Sequence, residues 1–165
     1  KIQMKVEFQE EQKFTQWYLW VILIGVGMIP TFGIYKQLIV GEEFGDKPMS
    51  DIGLVVVSLF TFGLLILFWF IRLKTKIDKN IIQMNFSPFL KKSVKWKEIK
   101  TVKIVKYEFM GYGIRLGSEY GTVYNTKGNK GLAIELKTGK KFVIGTQKAT
   151  ELTKIVEKVS LQQWL

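Results

Sequence analysis

Residues 52–73 read IGLVVVSLFTFGLLILFWFIRL, and from Ile52 to Ile71 there are 20 residues without one charge. An earlier stretch, Trp17 to Val40, reads WYLWVILIGVGMIPTFGIYKQLIV, with Lys36 as its single charge. At about 1.5 Å per residue its 24 residues cover roughly 36 Å, against a hydrocarbon core of about 30 Å. Neither stretch carries a polar stripe, so neither suits a surface helix with one wet face. A buried helical hairpin in a soluble core is the bland alternative, and such long all-round apolar runs argue against it. A cleaved signal peptide suits the first stretch poorly. Glu7, Glu10 and Glu11 precede it, no small-residue cleavage site follows, and the run exceeds the roughly 7–15 residues of a signal core. The expectation is a transmembrane helical hairpin over 17–73, with spans 17–40 and 52–73 and an outer loop 41–51, preceded by a cytoplasmic segment 1–16.

The flanks orient it. The loop holds Lys47 against Glu42, Glu43, Asp46 and Asp51, whereas Arg72, Lys74, Lys76 and Lys79 crowd the far end of the second span. Short basic flanks stay cytoplasmic, so both termini are expected there. Trp17, Tyr18 and Trp20 then share one interface with Phe68, Trp69 and Phe70, while Tyr35 marks the other and Lys36 snorkels outward. Pro30 lies near Gly25, Gly27 and Gly33. A hinge, a packing notch and a tolerated kink all fit that pattern.

Composition excludes much chemistry. The 165 residues include 25 Lys plus Arg, 14 Asp plus Glu, no Cys and no His, so disulfides, zinc sites, haem ligation and histidine- or thiolate-based triads are out. After the hairpin, Arg72 to Leu165 carries 20 basic and seven acidic residues, a net +13. Its pattern is mostly period two: LKTKID and NIIQMNF about the turn cluster Asp78-Lys79-Asn80, then SVKW, KTVKIVKY, YGIRL and GTVYN, then LAIELK and KKFVIGT about Thr138-Gly139. From Lys148 the period changes, with Leu152, Ile155, Val156 and Val159 forming the stripe of an amphipathic helix. The fold class is α+β: a transmembrane hairpin, then over 74–165 a small bent sandwich or barrel of about seven strands capped by a C-terminal helix. Upstream, Ile2, Met4, Val6 and Phe8 also alternate, compatible with a strand on the sheet or with a membrane-surface segment.

The segment resembles the bacterial pleckstrin-homology-like domains of small membrane proteins with two preceding transmembrane helices. The likeness rests on Val94, Trp96, Glu98 and Ile99, then Gly111-Tyr112-Gly113-Ile114-Arg115, Tyr124-Asn125, Gly128-Asn129-Lys130-Gly131 and Ile144-Gly145-Thr146-Gln147. It departs at Ala149, where proline is expected to open the helix. The resemblance implies a strongly bent seven-stranded sheet with a C-terminal helix in a bacterial cytoplasmic (inner) membrane protein. It implies no activity and no cofactor. The motif residues Trp96, Gly111, Gly113, Arg115, Tyr124, Asn125, Gly145, Thr146 and Gln147 are then expected to be structural.

Gly111 to Gly117 has GxGxxxG spacing among strands with no helix following, so it reads as a bend or bulge with Arg115 pairing locally rather than as a nucleotide fingerprint. Asp78, Glu98, Glu108, Glu119, Glu135, Glu151 and Glu157 are scattered, so neither a carboxylate pair nor a metal site is expected, and the chain is read as no enzyme. Lys91, Lys92, Lys95, Lys97, Lys100, Lys103 and Lys106 fall within sixteen residues with Trp96 and Tyr107 interleaved. Together with Arg72 and Lys74, the lysines at 91, 92, 95 and 97 are candidate contacts for anionic lipid, and a merely solvated strand face is the alternative. A membrane-tethered sheet of this kind is no reader of nucleic acid. The expected function is a non-catalytic protein-interaction or assembly module, an accessory subunit of a membrane complex or a self-associating one. An anionic-lipid module held on the cytoplasmic leaflet is the alternative.

Overall fold

The computed structural model describes residues 6–108 and 111–163, which divide into a helical unit, residues 15–70, and a β unit, residues 6–14 and 71 onward. Ile2 and Met4 of the N-terminal alternation lie outside the described residues.

In the helical unit, α1 (Trp17–Ile34) continues as a wider π-helical turn over Tyr35–Val40 that stops at Gly41, and α2 spans Asp51–Phe70. Both helices are long and apolar enough to cross a membrane, and only 17% and 11% of their apolar windows are buried. A core hairpin would hide most of that surface; here it faces outward. The buried positions of α1 are Gly27, Pro30 and Gly33, one stripe at spacing three. A Cβ on Gly33 would lie 2.9 Å from Phe44 and 3.1 Å from Leu54, and one on Gly27 would lie 3.1 Å from Leu65. Pro30 therefore sits in a packing notch rather than at a free hinge. Thr31, Ser58 and Thr61 donate their hydroxyls to the carbonyls of Gly27, Leu54 and Val57, leaving no hydroxyl proton to solvate in apolar surroundings. Gln37 ties the helix ends together, donating to Met49 O at 2.8 Å and to Asp51 Oδ1 at 2.6 Å. At the other end Trp20 and Trp69 meet edge-on, 5.8 Å apart.

The β unit has two sheets. The first runs β1-β2-β3-β4, all antiparallel: β1 (Val6–Lys13), β2 (Arg72–Asp78), β3 (Ile81–Ser87) and β4 (Leu90–Lys95). A 3-10 turn at Trp96–Glu98 leads to the second, ordered β5-β8-β9-β7-β6: β5 (Ile99–Lys106), β6 (Gly113–Ser118), β7 (Gly121–Asn125), β8 (Lys130–Leu136) and β9 (Lys141–Gly145). Its one parallel pair is β7 with β9. Helix α3 (Ala149–Gln163) buries Leu152, Val156 and Val159 and packs against β1 of one sheet and β5 of the other. The core follows the alternation: Leu73, Ile77, Ile82, Met84 and Phe86 from the first sheet, Leu132, Ile134, Val143 and Ile144 from the second.

Four expectations change. Among the described residues there are nine strands rather than about seven, eight after the helices and one before them. The second helix ends at Phe70, not Leu73, because Leu73, Thr75 and Ile77 point inward at period two and Arg72 already pairs across to β1. The β unit accordingly begins before residue 74 and includes β1, which settles the N-terminal segment as a strand. Val6 does not share the face of Phe8: a bulge between them leaves Val6 exposed and Phe8 buried.

The Asp78 turn forms as read, with Asp78 Oδ1 accepting from Asn80 N at 2.7 Å and Ile81 N at 2.9 Å. The glycine-rich stretch is a bulge: the β6–β7 register shifts between Arg115 and Ser118, with Gly117 at φ 80°. Arg115 packs its guanidinium against Gly111, where a side chain would displace it.

Candidate functional site

Of the motif residues, Gly145, Thr146 and Gln147 meet β1 in a buried polar knot. Glu10 is 5% exposed, and its carboxylate accepts from the Thr146 hydroxyl at 2.6 Å and the Gln147 backbone N–H at 2.7 Å. Two residues on, Gln12 donates Nε2 to Gly145 O at 2.7 Å and accepts from the Thr126 hydroxyl at 3.2 Å. The Thr146 oxygen in turn accepts from Lys148 N at 3.0 Å just ahead of α3, so the helix starts at Ala149 without proline. Asn125 Nδ2 reaches Tyr107 Oη at 3.2 Å and the carbonyls of Gly111 and Gly128 at 3.3 and 3.4 Å. Burial pushes the Tyr107 hydroxyl above its ordinary pKa, partly offset by the Asn125 hydrogen bond. Gln147 Nε2 donates to Lys127 O at 2.6 Å. The knot is a clasp on backbone and helix start. Glu10 and Gln12 escape sequence reasoning, although their parity with Phe8 was the available signal: two polar residues on an inward face require partners.

Trp96 is also structural. It is buried and donates Nε1 to Asp78 O at 2.9 Å, pinning the β2–β3 turn.

The six candidate cations part company. Arg72 and Lys74 both pair with Glu11, at 3.0 and 3.1 Å. The Glu11 carboxyl is held below the usual range first by the Lys74 hydrogen bond, with Arg72 adding to it. Lys95 and Lys97 are exposed. Lys91 and Lys92 have successive side chains on opposite sides of β4 and nevertheless both line one cleft of about 530 Å³. Its other lining residues are Ser93, Val94, Thr122, Leu136, Lys140, Lys141 and Phe142. The Lys92 ammonium stands 4.7 Å from the ring centres of both Tyr124 and Phe142. Lys140 and Lys141, from the β8–β9 hairpin, were not singled out by the sequence, because 48 positions separate them from Lys92 and nothing local links the two pairs.

Around these groups the outer face of the first sheet is polar and basic. The alternation of buried and exposed positions puts Lys13, Arg72, Lys74, Lys76, Lys91 and Lys95 there, against Glu11 and Asp78. Among the described residues no group of three or more His, Cys, Asp or Glu comes together as a metal site. Compared with protein-family models and with curated proteins, the sequence returns no match.

Proposed function

We propose that the chain is a two-pass cytoplasmic-membrane protein with both flanks of its hairpin cytoplasmic, a non-catalytic module whose pleckstrin-homology-like β unit binds anionic lipid of the leaflet that anchors it. The observation carrying this reading is the outer face of the first sheet, with six basic residues against two acidic ones. Basic groups near an anionic leaflet gain about 1 kcal/mol each, and the gain decays over a Debye length of roughly 10 Å. The pairing of β1 with β2 supports the topology. The strands flanking the hairpin lie in one sheet, so an even number of crossings must separate them. The outward apolar surface of both helices supports the anchorage.

The chain has no cysteine, so a single Gln9→Cys substitution on this face takes one fluorescent donor. In nanodiscs carrying acceptor-labelled lipid, energy transfer rises when anionic lipid replaces neutral lipid. It falls back at about 1 M salt, where the Debye length is about 3 Å. Equal transfer in both discs overturns the reading.

A second reading, assembly, draws on a different observation. Strand β6 is an edge of the second sheet, and its Leu116 is 75% exposed. Antiparallel pairing of this edge with β6 of a second copy would cover it. This reading expects dimers in native mass spectrometry of nanodisc-held protein and their loss in Leu116→Lys. A monomeric native protein refutes it.

A further inference from the structure

We propose that Phe89, at the tip of the β3–β4 turn, inserts its ring into the leaflet that anchors the hairpin and so gives the β unit an apolar anchor of its own. This rests on the two-pass reading above but not on the charge of the sheet face, since the contact is apolar and lies at one end of the sheet. Helix α2 has 20 residues, about 30 Å at 1.5 Å per residue, the thickness of a hydrocarbon core. Its last residues, Phe68, Trp69 and Phe70, then stand at the membrane boundary, and Arg72 opens β2 two residues later. Arg72 pairs with Lys13 on one side and with Ser87 on the other. The turn that follows Ser87 therefore extends from the end of the sheet where the chain enters and leaves the helices. The β2–β3 turn around Lys79 lies at the other end, about 20 Å away along strands that rise about 3.3 Å per residue. Chain connection and ladder register set this order.

A lone exposed apolar side chain is ordinary by itself. Phe89 differs in how it is held and in what surrounds it. It is 53% exposed, the one exposed aromatic among the described residues of the β unit. Its ring stacks on the buried Phe86 at 6.0 Å, and its backbone N–H donates to Phe86 O at 2.8 Å. One ring of the pair belongs to the core and the other carries the stack outward, so covering Phe89 requires no loosening of the core. Lys13 and Arg72 share the last row with Ser87, and Lys91 follows two residues after Phe89. Glu11, the acid in the adjoining row of that face, is already held by Arg72 and Lys74. A ring flanked by cations matches the layering of a leaflet edge, where acyl chains lie beneath polar and anionic headgroups.

The test reads depth in the bilayer. The chain has no cysteine, so Phe89→Cys, Lys79→Cys and Leu59→Cys each accept a single nitroxide in the full chain. The vesicles are phosphatidylcholine with phosphatidylglycerol. Power saturation compares collisions with oxygen, which concentrates in lipid, and with a water-soluble nickel chelate. Leu59, exposed near the middle of α2, is the reference for the bilayer interior, and Lys79 is the reference for water. Oxygen outweighs nickel at 59 and 89, nickel outweighs oxygen at 79, and the order holds at about 1 M salt, where the Debye length is about 3 Å. A label at Ser87→Cys keeps Phe89 itself. It favours oxygen while Phe89 is present and turns to nickel in Phe89→Ser, an exposed change outside the core. Nickel access at 89 equal to that at 79, with 59 in lipid, overturns the anchor and leaves the two-pass reading standing. Nickel access at 59 removes the two-pass reading and the anchor with it. A label at 89 that reaches lipid in low salt and leaves it in high salt overturns the anchor in favour of charge alone. An 87 label unmoved by Phe89→Ser overturns it too, as does an oxygen preference at 79 as strong as that at 89.

Discussion

Glu10→Ala lowers the stability of the β unit by about 3–6 kcal/mol, as two hydrogen bonds to a charged acceptor are each worth about 1.5–3 kcal/mol. The substitution takes the acceptor from the Thr146 hydroxyl and from Gln147 N–H, both drawn into a site that is 95% hidden from solvent at Glu10. A whole domain is stable by only about 5–15 kcal/mol, so this loss reaches the fold. It also acts at a distance along the chain. β1 precedes the helical hairpin and β2 follows it, so a released β1 leaves the β unit joined to the hairpin through α2 alone. The measurement is hydrogen exchange of the strand amides in nanodisc-held protein, where exchange in β1, β2 and β9 rises together. Glu10→Gln keeps an oxygen acceptor and gives an intermediate loss. Exchange in the alanine variant within about 0.5 kcal/mol of the native value refutes the clasp.

Trp96→Ala costs about 3–5 kcal/mol by emptying a core site. Trp96→Phe separates the ring from its hydrogen bond: it keeps most of the packing, loses the Nε1 bond to Asp78 O, and costs about 1 kcal/mol plus a small cavity. Denaturant titration of the native and variant proteins orders them native, phenylalanine, alanine. A phenylalanine variant as unstable as the alanine one would make the indole N–H, and with it the β2–β3 turn, the larger part of the residue's role.

What could be read without coordinates was what short-range chemistry dictates. Twenty charge-free residues cannot form a half-wet helix in any fold, so both apolar helices were legible from composition. The Asp78 turn, the Thr138-Gly139 hairpin, the bulge at Gly117 and the stripe of α3 all depend on residues within about four positions of one another. The helix end went astray because Ile71 and Leu73 extend the apolar pattern past Phe70 on either side of Arg72, and only pairing with β1 marks where helix becomes strand.

The site belonged to the tertiary structure. Gln12 and Gly145 lie 133 positions apart and Glu10 and Thr146 lie 136 apart, with a helical hairpin between them, so no local period announces their contact. Period two states which side of a strand a residue faces; it does not state what waits on that side. The lysines make the same point. As a run in the sequence they form one basic stretch, but folding sends Arg72 and Lys74 to Glu11, sets Lys92 over two aromatic rings, and brings Lys140 and Lys141 in from the other sheet. The sequence by itself determined the two long apolar helices and the sign of the charge. Only the packing of two sheets decided which of those charges converge, because convergence is set by long-range pairing that composition does not encode.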